Sequence, residues 1–296
     1  MTCRARWHDY RSRCIYMLTL SKRQGVRNFG HIVGDSSLKA GSESACRIEL
    51  SQTGKIVKNR IYNISTLEPA IRLLQYALMP DHVHIILEVQ RPMTEPLGLV
   101  IARMKAEING LCGETVFEEG FNDQILHPNR SLPVLFDYLR DNPRRLAVRR
   151  DKPDFFRRVN GLELGDCLCT AYGNLLLLRN PFKEQVIVHR AESPEELARK
   201  RELWLYTASN GGVLVSPFIS PAEKAVRTEA ESAGARIILI THDSMPERYK
   251  PSDRDFSLCE SGRLLIVSTN ECGELSRQTC MRMNALATII SENPNL

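Results

Sequence analysis

The N-terminal half of the chain alternates short apolar runs with amphipathic ones. Residues 16–20 and 75–78 read as strands, and residues 82–89 as a core strand carrying Ile85, Ile86, Leu87 and Val89. Residues 45–50 and 55–57 read as a hairpin turning at Thr53-Gly54, and residues 67–74 as a short helix. Residues 97–111 place Ile101, Met104 and Ile108 on one stripe, the spacing of an amphipathic helix covering a sheet. Another helix is expected from Ser131, an N-cap residue with Pro133 in the first turn and Leu132, Leu135, Phe136 and Leu139 as its apolar stripe. An antiparallel sheet with helices laid on it is an α+β fold.

After about residue 160 the pattern changes. Strands are expected at 174–178, 185–188, 212–215, 236–241 and 263–268, and helices at 193–205, 221–233 and 276–290. Strands alternating with helices imply parallel βαβ units, hence a second, α/β Rossmann-like domain. The 296 residues suffice for two domains, expected at 1–160 and 161–296.

Two short constellations add chemistry to this outline. Side chains alternate along a strand, so His82 and His84 point the same way. Two imidazoles side by side on an apolar strand are costly to leave without partners. A divalent metal ion is one partner for both; backbone hydrogen bonds to two core histidines are the alternative. Tyr138 and Asn142 stand four apart on the helix expected from Ser131 and share a face. Alone, that pair reads as a half-buried tyrosine and an asparagine ending the helix before Pro143.

Taken together, the segments resemble a known family. Met79-Pro80-Asp81-His82-Val83-His84 resembles the His-hydrophobic-His signature of the single-tyrosine HUH transposases, and Tyr138 to Pro143 resembles the Tyr-x-x-x-Asn-Pro motif of the REP-associated tyrosine transposases. Glu119 to Leu126 is similar to the stretch leading into the tyrosine helix, Tyr16 to Leu20 to the first strand, and Phe29 to Gly34 to a further landmark. The resemblance spans roughly residues 10–150. It implies an RRM-like HUH core and metal-dependent DNA nicking and strand transfer through a 5′-phosphotyrosine intermediate. Tyr138 would be the nucleophile, and His82, His84 and Asn142 the ligands of Mg²⁺ or Mn²⁺. The substrate implied is single-stranded or hairpin DNA derived from repeats. Some members exchange the tyrosine helix across a homodimer, while others act as monomers. One departure is visible: the family commonly follows the Asn-Pro pair with a basic, glycine-containing turn, whereas here Arg144-Arg145-Leu146-Ala147-Val148-Arg149-Arg150 follows.

The residue chemistry agrees with this implication. A tyrosine hydroxyl ionises near pH 10 and is a poor nucleophile at neutral pH, so it needs a phosphodiester already polarised and held in line. A mixed nitrogen and oxygen ligand set suits Mg²⁺ or Mn²⁺, with histidine favouring Mn²⁺. A phosphotyrosine link conserves the bond energy, so rejoining needs no ATP.

Charge is spread unevenly. Residues 1–160 hold 25 Lys+Arg against 17 Asp+Glu, a net +8, while residues 161–296 hold 15 against 18, a net −3. Phosphate contacts dominate nucleic-acid affinity, so the positive half is the one expected to meet DNA. Arg140, Arg144, Arg145, Arg149 and Arg150, just after Tyr138, are the expected DNA contacts; a solvated helix end is the alternative. Arg11, Arg13, Lys22, Arg23 and Arg27 form a second basic group. The nine cysteines stand at no zinc-finger spacing, Cys167 and Cys169 being the one close pair. An odd count without a signal peptide argues for free thiols in a reducing cytoplasm, with a nucleoid-associated protein expected. No stretch reaches the ~18 apolar residues needed to cross a bilayer.

In the second half, Ala208 to Pro217 puts Gly211 and Gly212 at the entrance to a strand. Together with Ile240-Thr241-His242 and Gly262 to Leu265, it is faintly similar to the Rossmann-like core of DNA-processing protein A and LOG-type proteins. There is no GxGxxG and no Walker lysine, so the glycines read as turn residues, and His242 and Glu223 as structural. A recognition or interaction module fused to the nuclease is expected. Three function classes remain open: a strand transferase, a DNA-binding regulator that keeps the fold without cutting, and a water-using metal hydrolase. All four site residues are present, which favours the first; Tyr138→Phe would spare only a hydrolase.

Overall fold

In the computed structural model, which describes residues 8–38, 40–126, 132–189, 192–271 and 273–293, the chain divides into two units, Met1–Val148 and Arg149–Leu296. The division falls ahead of the change of pattern at residue 160. The expected cap Ser131, with Cys3 and Cys272, lies outside the described residues. Among those described, Cys14, Cys112, Cys167, Cys169, Cys259 and Cys280 are free thiols and no helix is long and apolar enough to cross a membrane.

The first unit contains β1 (Cys14–Ser21), β2 (Gly30–Val33), β3 (Arg47–Leu50), α1 (Gln52–Tyr62), β4 (Ile71–Leu78), β5 (His82–Val89), α2 (Leu97–Cys112), β6 (Asn122–Leu126) and all but the last three residues of α3 (Leu132–Asp151). Strands β4-β5-β1-β6 form one sheet in that order, every neighbour antiparallel. With α1 between β1 and β4, and α2 between β5 and β6, the path is βαββαβ. The α+β expectation for this half is therefore met.

Strand alternation sorts β5 between two layers. Val83, Ile85, Leu87 and Val89 are fully buried in the larger core with Leu18, Leu20, Val57 and Ile61, and with Val100, Ile101, Met104 and Ile108 of α2. Burying an aliphatic side chain of this size contributes about 1.5–3 kcal/mol. The even-numbered residues face the other way. Ile86 packs with Ala77, Leu126 and Leu139, against which Leu135, Phe136 and Tyr138 of α3 are laid. Helices α1 and α2 thus cover one face of the sheet, and α3 the other.

Two expected elements are corrected here. The hairpin expected at 45–50 and 55–57 is instead β3, which pairs with β2, followed by α1. Val57, Ile61 and Ile64 are buried at helical spacing, and the Ser51 side chain caps the helix by accepting from the Gly54 N–H at 3.1 Å. The helix expected at 67–74 is instead a turn at 67–70, after a 3-10 turn at Ile64–Thr66, and then the start of β4. A register shift between Leu73 and Gln75 breaks the alternation of β4, and pairing along β5 outweighs local periodicity.

The second unit contains β7 (Arg157–Leu164), β8 (Cys167–Gly173), β9 (Lys183–Gln185), α4 (Pro194–Ser209), β10 (Val213–Ser216), α5 (Pro221–Ser232), β11 (Arg236–Thr241), α6 (Asp253–Glu260), β12 (Leu264–Ser268) and α7 (Arg277–Glu292). Strands β9, β10, β11 and β12 are parallel, as the alternation implied, and β12 pairs antiparallel with β8. The order β7-β8-β12-β11-β10-β9 contains no reversal among the parallel strands. A doubly wound dinucleotide fold places its ligand crevice at such a reversal. The strand expected at 174–178 is corrected to a 3-10 turn, Leu175–Arg179, whose cap Asn174 accepts from the Leu176 N–H. Hairpin β7–β8 and helix α6 were not anticipated. Glu223 is structural as expected: it completes the capping box of α5 and accepts from the Val188 N–H at 3.0 Å.

Gly54 offers a stability test. A Cβ there would lie 1.9 Å from the Phe29 carbonyl oxygen, a backbone atom, whereas at Gly110 in α2 a Cβ meets nothing within 4 Å. Gly54→Ala is expected to destabilise by about 1–3 kcal/mol despite alanine's helix propensity. Gly110→Ala is expected to stabilise by up to ~1 kcal/mol. Urea unfolding of both variants checks the pair.

Candidate active site

His82 and His84 project from β5 on the α3 side of the sheet. Their ring centroids are 4.7 Å apart, edge to face. His84 is buried, at 4% exposure, while the side chain of His82 is about a quarter exposed. Register explains what surrounds them. His84 lies between Thr19 on β1 and Ala77 on β4; His82 lies opposite Ser21 at the end of β1.

Each imidazole is oriented through Nδ1. The His82 ring N–H at Nδ1 donates to the Asp81 carboxylate at 2.7 Å, and His84 Nδ1 lies 2.8 Å from Thr19 Oγ1. Metal-binding histidines are commonly fixed by such a bond on one ring nitrogen, which assigns ligation to the other, Nε2. Among the described residues, no group of three or more His, Cys, Asp and Glu side chains stands at metal spacing.

Helix α3 brings Tyr138 and Asn142 to the same sheet face. Tyr138 packs onto the apolar cluster of Ala77, Ile86, Leu126 and Leu139, and Ala77 is the register neighbour of His84. Asn142, one turn on, is 8% exposed. Arg145 follows on the same stripe at 4% exposure, its guanidinium carbon 5.2 Å from the centre of the Tyr138 ring. Pro143 does not end the helix, which continues to Asp151. The sequence that departs from the family's glycine-containing turn is therefore helical. Pro143 has no N–H for the Leu139 carbonyl, which loosens the helix one turn beyond Tyr138.

The five arginines expected to face DNA do not form one surface. Arg140 and Arg150 are exposed, Arg140 pairing with Asp137 at 3.1 Å. Arg144 is half-buried, its Nε donating to Asp141 at 2.8 Å, and Arg145 is buried against Tyr138. The Arg149 guanidinium lies over the Phe256 ring, 5.5 Å from its centre. An ion pair or a ring contact within the chain engages four of the five. In the second basic group, Lys22 donates to the Val26 carbonyl and Arg11 pairs with Asp9 at 3.0 Å. His242 stands 3.6 Å from Asp243, in line with a structural role. The sequence assigned no role to Thr19, and it assigned Arg145 to DNA rather than to the Tyr138 ring. Thr19 reaches His84 only through strand pairing, which no local motif reports. Arg145 sits seven residues after Tyr138, a helical spacing legible in advance.

No protein-family model matches the chain. An uncharacterized protein of Haemophilus influenzae (strain ATCC 51907 / DSM 11121 / KW20 / Rd) is 21% identical over 165 residues, covering 47% of this chain and 86% of that protein. A solved structure of a REP-associated tyrosine transposase bound to a REP hairpin is similar at a TM-score of 0.35 and 14% identity, covering 48% of this chain and 73% of that one.

The orientation of His82 by Asp81 is testable by itself. Asp81→Ala is expected to weaken Mn²⁺ binding by about 10–100-fold. Calorimetric titration of wild type and variant measures the difference. Equal affinity would remove Asp81 from the site.

Proposed function

We propose that the first unit is a metal-dependent DNA nicking and strand-transfer enzyme of the single-tyrosine HUH kind. The observation that supports the reading is that His82 and His84, 4.7 Å apart, lie on the face of β5 that carries Ile86, and Tyr138 of α3 packs on the cluster of Ala77 and Ile86. Mg²⁺ or Mn²⁺ bound there would polarise the scissile phosphate and neutralise charge on the departing 3′-oxygen. His82 and His84 would hold that ion through Nε2, with Asp81 and Thr19 fixing the rings. Asn142 would supply an oxygen ligand from α3.

Tyr138 would act as nucleophile. Its hydroxyl oxygen forms a bond to phosphorus while the bond to the 3′-oxygen breaks; the phenolic proton is lost and the 3′-oxygen gains one. The products are a 5′-phosphotyrosine and a free 3′-OH, and the reverse step joins strands without ATP. Arg145 against the ring face restrains the phenol for in-line attack, since orientation is a large part of the rate. Single-stranded or hairpin DNA is the substrate this reading takes, because unpaired strands expose the backbone and bases that a duplex hides. For the second unit the proposal is narrower: a Rossmann-like α/β module that serves recognition or interaction rather than catalysis.

The test is a cleavage assay on end-labelled hairpin DNA with a single-stranded flank, in Mn²⁺ or Mg²⁺. Wild type is expected to form a denaturant-resistant protein–DNA adduct. Tyr138→Phe is expected to bind the same DNA and form none. Cutting that persists in Tyr138→Phe without an adduct contradicts the reading in favour of a hydrolase. Binding without cutting in both metals contradicts it in favour of a non-cleaving regulator.

A further inference from the structure

A cleft of about 360 Å³ opens along the outer edge of β4, between the segment from Ala40 through β3, the side of α1, and α3 at Arg140 and Pro143. Three cations line it, Arg47, Lys58 and Arg140, against one carboxylate, Glu43. Arg47 and Lys58 are exposed, and neither side chain has a hydrogen-bond or ion-pair partner among the described residues. Cations left unpaired around a concavity focus a positive potential into it. Tyr76, half-buried on β4, adds an aromatic face to the lining.

The cleft also adjoins the proposed active site. Pro143 follows Asn142 directly on α3, and on the β4 edge Tyr76 and Leu78, whose side chains face the α1 and α2 side of the sheet, flank Ala77, the register neighbour of His84. We infer that this cleft binds one unpaired nucleotide of the DNA strand next to the scissile phosphate. Arg47 and Lys58 contact its flanking phosphates, and Tyr76 stacks on its base. The inference rests on the nicking reading for the identity of that strand. The volume suits one nucleotide, at the low end of the few hundred Å³ usual for small-molecule pockets. Guanidinium, ammonium and aromatic groups together are the chemistry of single-strand binding, in which phosphate neutralisation and sequence-tolerant stacking combine. A base paired in a duplex offers no free face to Tyr76, so the occupant is unpaired.

The experiment measures binding of a fluorescent hairpin carrying a single-stranded flank across a salt series, for the full chain and its variants. The double variant Arg47→Ala/Lys58→Ala changes exposed side chains only. It is expected to lower the slope of log K against log salt by about 1.4, the value for two single-strand phosphate contacts. Arg103→Ala, an exposed cation on α2, is expected to leave the slope unchanged. Tyr76→Leu is expected to weaken binding roughly tenfold, and Tyr76→Phe, which keeps both the ring and its packing, to bind as wild type. Trimming the single-stranded flank should erase the difference between wild type and the double variant. A double variant with the wild-type slope and affinity overturns the inference. If wild type still forms the covalent adduct in that case, the cleft falls and the nicking reading stands. A lowered slope with no adduct from wild type supports the cleft and sinks the nicking reading. Absence of DNA binding by wild type at any salt overturns both.

Discussion

Every feature of the candidate site depends on the alternation of side chains along β5. Its odd-numbered residues close the larger core with α1 and α2, and its even-numbered residues present His82, His84 and Ile86 to α3. A slip of one residue would drive two imidazoles into an apolar core and lift Val83, Ile85 and Leu87 out of it. Both halves of that exchange are unfavourable, so packing on one face sets the register and orientation of the histidines on the other. Pairing with β1 then sets Thr19 beside His84, and pairing with β4 sets Ala77 on its other side. Asp81 and Thr19 supply hydrogen-bond partners to the two rings in this layer.

Helix α3 packs on that face. Leu135, Tyr138 and Leu139 lie on the sheet side of the helix, followed by Asn142 and Arg145 on the same stripe. Tyr138 is thus anchored at one ring face by hydrophobic packing and at another by a guanidinium. Pro143 costs the helix a hydrogen bond one turn from the tyrosine, a local weakness that packing on both sides of it sustains. The second unit buries a different core. Val213, Val215, Ile238, Ile240, Leu265 and Val267 pack against Met283, Leu286 and Ile290 of α7. Its Ser193 and Ser220 capping boxes start two of its helices.

Strong periodicity was legible in the sequence, and weak periodicity was not. Strand β5, helix α2 and the pairing of Tyr138 with Asn142 on one helical face follow from spacing alone. Strand β11 is found at the residues expected, 236–241. The first part of β4 is not legible, because a register shift interrupts its alternation and its strand character comes from β5. Helix α1 hides behind Thr53-Gly54, which reads as a turn. Gly54 is required there for a different reason, the approach of the Phe29 carbonyl to the helix. The histidines were visible as a pair, but not Thr19, which lies 65 residues away in sequence. The arginines after Tyr138 were visible as charge; the Arg144–Asp141 pair follows helical spacing, whereas the contact of Arg149 with Phe256, distant in sequence, is set by folding.

The central claim is that Tyr138, and not another tyrosine or a water, attacks the phosphodiester. Its most direct test is to trap wild-type protein on hairpin DNA with Mn²⁺, digest protein and DNA, and map the nucleotide-bearing residue by mass spectrometry. The account predicts a single modified residue, Tyr138, joined to a 5′-phosphate. A nucleotide on any other side chain, or cleaved DNA with no modified residue, would contradict it.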